Sequence, residues 1–409
     1  MLLSVLLALT VIMVTARLVG ALFTKLNQPA VIGEVIGGIL LGPSLLGHVA
    51  PALQLWVMPP DAAPFLNVIS QLGVILYMFL VGLELDLGGM RATVFTTMGI
   101  AVSSIAVPFV IGAAFALALN GGLVPANVPF TSFALFLGVS MSITAFPVLA
   151  RILSDRQLQR TPLGVMALTC AAINDAIAWC LLAFVVSVMQ ATPQAAITTV
   201  GFTVAYIAVM LTIGRSLMSR LIAYLDHKSH PGEQSLALVL ISVLLSAVAT
   251  EFIGIHAIFG AFLIGAIIPH DSRISAYAFD RLSDLVRVLL LPAFFAFTGL
   301  RTEIGLLQSP ADWAMCALII AVATAGKWGG TAIAARAFGL PWRDAGALGI
   351  LMNTRGLVEL IVLNIGLDLG VITPRLFTML VVMAIATTMM TSPILERLRG
   401  RASFLVSSH

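Results

Sequence analysis

The chain has 409 residues, 60% of them hydrophobic and 10% charged, with a net charge of +3 and a mean hydropathy of +1.09. Soluble domains carry about a quarter charged residues, so an ordinary soluble protein is excluded. The apolar runs are long and do not alternate with polar positions. That excludes a membrane β-barrel and leaves an all-α membrane bundle.

In chain order, apolar runs between polar breaks predict about thirteen spans. The first covers residues 2–22; it lacks a basic start and carries Arg17, so it reads as a span rather than a cleaved leader. Further spans are predicted at 30–47, 65–84, 94–119, 131–150, 162–190 and 196–214. The second set is 236–252, 255–269, 284–300, 313–335, 344–367 and 374–395. The fifth span is interrupted at Ser140-Met141-Ser142-Ile143-Thr144-Ala145-Phe146-Pro147, where proline removes a donor and clashes with the preceding turn. The twelfth is interrupted at Met352-Asn353-Thr354-Arg355-Gly356. Cys170, Cys180 and Cys316 lie in apolar runs without metal or redox spacing and read as core residues.

Basic residues fix an expected orientation. With the N-terminus outside, sixteen of the 21 lysines and arginines fall in the odd-numbered loops, the span edges beside them and the C-terminal tail. Only Arg301 and Arg375 fall in the other loops. By the positive-inside rule the protein is N-out, C-in.

The two halves resemble each other. Ala30, Gly33 and Gly38 match Ala257, Gly260 and Gly265; Gly82-Leu83-Glu84-Leu85-Asp86 matches Gly299-Leu300-Arg301-Thr302-Glu303; Gly138 and Met141 match Gly349 and Met352. The expected organisation is a six-helix repeat over 1–195, a linker helix and cytoplasmic loop over 196–234, and a second, inverted six-helix repeat over 235–396. A short cytoplasmic tail over 397–409 is too small for a soluble regulatory domain. Inverted repeats with interrupted helices are the architecture of many secondary transporters, which bind near the bilayer midplane.

Charge inside a span is costly and marks candidate functional residues. Asp175, Lys327, Arg355 and Glu359 stand near mid-span. Asp175 lies ~20 Å into its span at 1.5 Å per residue. A carboxylate there can hold a proton or a desolvated cation, but not comfortably both, which is antiport in its simplest form. Lys327 and Arg355 suit the partly negative carbonyl ends of the broken helices. The alternative is a structural salt-bridge set, with Arg355 and Glu359 four apart on one helix neutralising each other. Glu84, Asp86 and Glu303 fall at span ends and read as solvated mouths, while Glu34 and His256 sit near interfaces. No catalytic triad, phosphate-binding glycine loop or zinc spacing is present, so neither an enzyme nor a cofactor is expected, and the basic residues carry no nucleic-acid signal.

The run Ser142-Ile143-Thr144-Ala145-Phe146-Pro147-Val148-Leu149-Ala150-Arg151-Ile152-Leu153 resembles the monovalent cation:proton antiporter-2 family, especially its fungal and plant cation/proton exchanger branch. Ala172-Ile173-Asn174-Asp175 with Ala178-Trp179, Met352 to Leu360, and Gln28 to Glu34 with Gly42-Pro43 extend the resemblance over most of the chain. It implies a thirteen-helix homodimer in the lipid bilayer, with a dimerisation domain and a mobile core of crossed broken helices. It also implies alternating access at a shared ion and proton site: Asp175 with Asn174, Thr144 and Ser142, and Lys327, Arg355 and Glu359 as supporting charge. Asparagine at 174, where other members carry a second aspartate, favours an electroneutral cycle. The expected substrates are H+ and a transient Na+ or K+ in a bacterial plasma membrane. A cation-coupled symporter of an organic solute on the same fold is the alternative. A potassium conductance lacks any Thr-Val-Gly-Tyr-Gly-like filter.

Overall fold

The computed structural model describes residues 2–26, 28–84, 94–119, 122–159, 161–190, 193–227, 232–254, 256–269 and 271–399. Asp86 and the tail from 400 onward lie outside them. The described residues form helices α1 (Leu2–Lys25), α2 (Ala30–Leu41), α3 (Leu46–Val49), α4 (Pro51–Val57), α5 (Ala63–Glu84), α6 (Val94–Phe115) and α7 (Phe130–Ser142). There follow α8 (Phe146–Asp155), α9 (Pro162–Gln190), α10 (Pro193–Val209), α11 (Arg215–His227), α12 (Glu233–Ile253), α13 (Ala257–Ile267) and α14 (Arg273–Leu285). The last are α15 (Leu291–Leu300), α16 (Pro310–Thr324), α17 (Gly330–Ala337), α18 (Trp342–Met352), α19 (Leu357–Asp368) and α20 (Pro374–Arg399). Single π-turns, Met210–Gly214, Val286–Leu290 and Ala325–Gly329, join α10 to α11, α14 to α15 and α16 to α17.

Among the described residues, ten helical stretches are long and apolar enough to cross a membrane. The short α13 and the two broken pairs, α7–α8 and α18–α19, occupy the remaining predicted positions. Large apolar side chains face outward, with Leu3 79% and Phe252 93% exposed, as lipid permits and water does not. Several boundaries differ from the hydropathy reading. The seventh span continues past 214 through α11, and the tenth begins at Arg273 rather than 284, because amphipathic helix carries charges that end an apolar run without ending the helix. Cys180 is exposed, unlike Cys170 and Cys316. Glu34 is buried within α2, where its Cγ lies close to Gly20 of α1.

Two compact units divide the chain. One comprises Met1–Val5, Asp61–Arg91 and Ala183–Phe294, the other Leu6–Pro60, Ala92–Leu182 and Phe295–His409. Within each, glycines let helix backbones touch. In the second unit a Cβ on Gly38 of α2 would lie 2.4 Å from Ala296 O of α15, and one on Gly299 would lie 2.5 Å from Val35 O and Ile39 N. In the first, a Cβ on Gly265 of α13 would lie 2.3 Å from Phe79 O of α5, and one on Gly82 would lie 2.3 Å from Phe262 O. These are the same two helix contacts in the repeat register, Gly38 with Gly265 and Gly82 with Gly299.

The other matched glycines behave alike. Gly33 abuts Val19 O of α1, and Gly260 abuts Ser246 O of α12; Gly138 abuts Phe109 O of α6, and Gly349 abuts Trp328 O in the turn before α17. The internal resemblance is therefore written in backbone-to-backbone contacts, which only a missing Cβ allows.

Gly299→Val should cost about 1–3 kcal/mol through overpacking. Gly305→Ala, where nothing lies within 4 Å, should leave stability unchanged; thermal melting in detergent would compare the two.

Candidate functional site

The site lies within the second unit, where both broken helices belong. α7 stops at Ser142, and Ile143 is extended at φ −69°, ψ 143°. Pro147 has no N–H to offer the carbonyl of Ile143, so the ladder of α7 cannot continue through it. Proline instead occupies the first turn of α8, where a missing donor costs nothing. It starts a helix here rather than kinking one. In the second break, Gly356 precedes α19; a Cβ there would lie 2.5 Å from Val148 Cγ2 of α8, so glycine lets the two interruptions meet.

They are joined by hydrogen bonds. Ala145 N donates to Thr354 O at 3.0 Å, and Thr144 Oγ1 donates to Met352 O at 2.9 Å. α20 supplies hydroxyls to the second break. Arg355 N donates to Thr388 Oγ1 at 3.0 Å, and Thr354 Oγ1 bonds Thr391 Oγ1 at 3.4 Å.

Opening the chain at 143–145 separates groups that a continuous helix would pair. The Phe146 N–H loses its helical acceptor and lies toward the carboxyl of Asp175, on α9, short of a hydrogen bond, while the Ser142 carbonyl accepts a bond from Lys327 Nζ. Lys327 also donates to Ser104 O at 2.8 Å. Ser104 stands four residues before Pro108, which lies inside α6, so this carbonyl too has lost its usual helical donor. The Arg355 guanidinium behaves similarly, reaching Ser140 O and Ala323 O, each at 3.2 Å. Both cations thus occupy carbonyls at helix interruptions.

Asp175 is fully buried, and neither carboxyl oxygen has a side-chain hydrogen-bond partner. Among the described residues no ion pair joins it to Lys327, whose ammonium is bonded to the Ser104 and Ser142 carbonyls. Beside it, the NH2 of Asn174 reaches Ala101 O at 3.0 Å and Cys170 O at 3.2 Å, while its oxygen accepts from Ser104 Oγ at 2.8 Å. The opposite amide orientation would set its oxygen against two carbonyls. The same amide atom that faces Ser104 lies 3.3 Å from Thr144 Oγ1. Ser142 Oγ donates back to Val139 O at 2.8 Å, leaving the hydroxyl oxygen as an acceptor.

Glu359 forms a neighbouring cluster. It is fully buried in the first turn of α19, and its Oε1 accepts from Ser140 Oγ at 2.6 Å. Its Oε2 lies 3.9 Å from Arg355 Nη1. The two residues do not share a helix as expected, because Arg355 sits in the break before α19. The pairing comes instead from the sharp entry into that helix.

Several contributors escape a sequence reading. Ser104, Ser140, Thr388 and Thr391 are neutral, and their partners stand far away in sequence. Two signals were nonetheless present: a proline inside α6, which names Ser104 as the freed carbonyl, and a hydroxyl run, Thr387-Thr388 then Thr391-Ser392, in an otherwise apolar span.

Comparison with known proteins agrees with this architecture. The family described as sodium/hydrogen exchanger, transmembrane, matches residues 11–397. The chain belongs to the sodium/hydrogen exchanger family. It is 46% identical over 399 residues to the Na+/H+ antiporter NhaS4 of Synechocystis, covering 97% of each chain. It is 39% identical to cation/H+ antiporter 20 of Arabidopsis thaliana, covering 93% of this chain and 47% of that one. K+/H+ antiporter 1 of Saccharomyces cerevisiae is 33% identical, with 94% and 45% covered; the chain thus spans about half the length of these plant and yeast relatives. The fold is similar to that of the sodium proton antiporter MjNhaP1 of Methanocaldococcus jannaschii, with a TM-score of 0.72, 17% identity and 98% of both chains covered. Like the rest of its family, this exchanger is a multi-pass integral membrane protein and not an enzyme.

Removing the ammonium in Lys327→Ala leaves two buried carbonyls without donors. The variant should lose roughly 2–5 kcal/mol of stability and shift its pH dependence more than its ion selectivity. Thermal melting together with Na+ and K+ exchange profiles would check both.

Proposed function

We propose that this exchanger is a secondary active antiporter that trades Na+ or K+ for H+ by alternating access at one buried aspartate, Asp175. The carrying observation is that carboxyl: fully buried, with both oxygens lacking side-chain partners at the meeting of two broken helices. Unpaired buried polar atoms are expensive, and an exchangeable proton or a monovalent cation satisfies the same oxygens in turn. The names of the relatives, Na+/H+, K+/H+ and cation/H+ antiporters, support exchange over symport of an organic solute.

In this reading Asp175 binds the ion or the proton. Thr144, Asn174 and Ser142 offer neighbouring oxygens, and the positive N-terminal end of α8 stands at the same break. Lys327, Arg355 and Glu359 hold the broken segments in place and supply a constant electrostatic background. The two six-helix repeats, the N-out orientation in a bacterial plasma membrane and assembly as a homodimer complete the proposal.

Charge balance follows from the site. The cation-loaded form is Asp175 carboxylate plus one cation, and the return form is the protonated acid; both leave the site with the same net charge. Asn174 offers no second titrating group. The cycle is then electroneutral, provided that Lys327, Arg355 and Glu359 keep their protonation states.

Asp175→Asn should fold and insert but reduce exchange in proteoliposomes to background; wild-type rates would overturn the mechanism. In wild type, solid-supported-membrane recordings should show no sustained transport current and no response to imposed voltage, which acts on a moved charge with ~2.3 kcal/mol per 100 mV. A sustained current would mean that a second group, Lys327 first, carries a proton.

A further inference from the structure

Among the described residues, two buried side chains at the breaks carry more than one polar atom and have no hydrogen-bond partner at any of them. One is Asp175; the other is Asn353, fully buried, with both Oδ1 and Nδ2 unpaired. A carboxamide has two acceptor sites and two donors, and leaving all of them unmet inside a protein is a standing penalty. Folding does not explain its presence, since an apolar side chain of similar size would serve the scaffold better.

Its location suggests what does. Asn353 ends α18, and its neighbours on both sides are tied to the first break: Met352 O accepts from Thr144 Oγ1, and Thr354 O accepts from Ala145 N. One residue further along the first break, the Phe146 N–H lies toward Asp175, short of a hydrogen bond. In the repeat register that pairs Met141 with Met352, Asn353 is the counterpart of Ser142.

At this point the two halves differ in charge. The carbonyl end of α7 carries a protein cation, because Lys327 donates to Ser142 O. The carbonyl end of α18 carries none among the described residues. Met352 O accepts the Thr144 hydroxyl, Ile350 O accepts the Thr391 hydroxyl and the Asn353 N–H, and the Arg355 guanidinium is directed to Ser140 and Ala323. A partly negative helix end beside an unpaired carboxamide oxygen suits a monovalent metal ion.

The geometry points to Asn353 as a ligand of the transported cation, its carboxamide oxygen meeting from the second break the ion that Asp175 holds from α9. The inference rests on the exchange reading above. It assigns Asn353 a part in cation affinity and leaves the proton to Asp175.

The test uses Asn353→Leu and Asn353→Ala in the full chain, reconstituted into proteoliposomes, with exchange driven by Li+, Na+ or K+ and melting followed in detergent. Asp175→Asn is run alongside. The expected result for Asn353→Leu is an apparent KM for the cation raised about tenfold, the size of one lost hydrogen-bond-strength contact to a charge, with melting unchanged or higher. The pH midpoint at saturating cation should stay at its wild-type value. Unchanged KM for all three cations in either variant would overturn the inference. Failure of both variants to fold would overturn it too, because the amide would then be part of the scaffold. If Asp175→Asn still exchanges, the underlying reading fails; if it is inactive while the Asn353 variants keep their KM, only this assignment fails.

Discussion

One absent hydrogen bond organises the site. In an unbroken helix the Phe146 N–H would pair with the carbonyl of Ser142. Here the chain is extended between them, and the two groups part: the N–H lies toward Asp175, short of a hydrogen bond, and the carbonyl accepts from Lys327. The interruption thereby creates a donor for an anion and an acceptor for a cation within one turn of chain. Neither can go to lipid, since unpaired backbone groups are not tolerated there. The side chains that satisfy them must come from other helices, and that need brings α6, α9 and the turn before α17 to the break.

The supporting parts follow the same accounting of backbone groups. Pro108 frees Ser104 O, and Lys327 takes it; the break frees Ser140 O, and Arg355 takes it. Lys327 has two bonds to carbonyls and no ion pair among the described residues, while Arg355 combines two carbonyl bonds with the nearby Glu359 carboxylate; these contacts offset the cost of burying both cations. The half-helices are tied at their far ends as well. Arg156, just past α8, pairs with Glu396 of α20, and Asp368, closing α19, pairs with Arg301 at 2.5 Å. α8 and α19 therefore each have the N-terminus at the site and the C-terminus fastened at the far end, whereas α7 and α18 bring their C-termini to the breaks.

Much of this could be read from the sequence, for a physical reason. Spans declare themselves through hydropathy, and a charge within one is costly enough to draw attention, so Asp175, Lys327, Arg355 and Glu359 stood out. The glycine matches between halves were also informative, because a backbone contact at Gly38 or Gly265 admits no other residue. Neutral polar side chains gave no such signal. Ser104 looks ordinary in an apolar span and Asn353 shows only as one member of the second interruption; three-dimensional bonding alone distinguishes the satisfied from the unsatisfied. Helix ends differ where amphipathic segments such as Arg215–His227 continue a span into charged sequence, whereas the break that leaves Arg355 outside α19 is legible in the run Met352-Asn353-Thr354-Arg355-Gly356.

The central claim is that one carboxyl serves proton and cation alternately. Its most direct test is proton release on cation binding, measured with a pH indicator on purified protein in weakly buffered detergent solution as Na+ or K+ is added. At a pH where the free site is protonated, the account predicts one proton released per cation bound, and neither binding nor release in Asp175→Asn. Cation binding without proton release, or release that persists in Asp175→Asn, would contradict it.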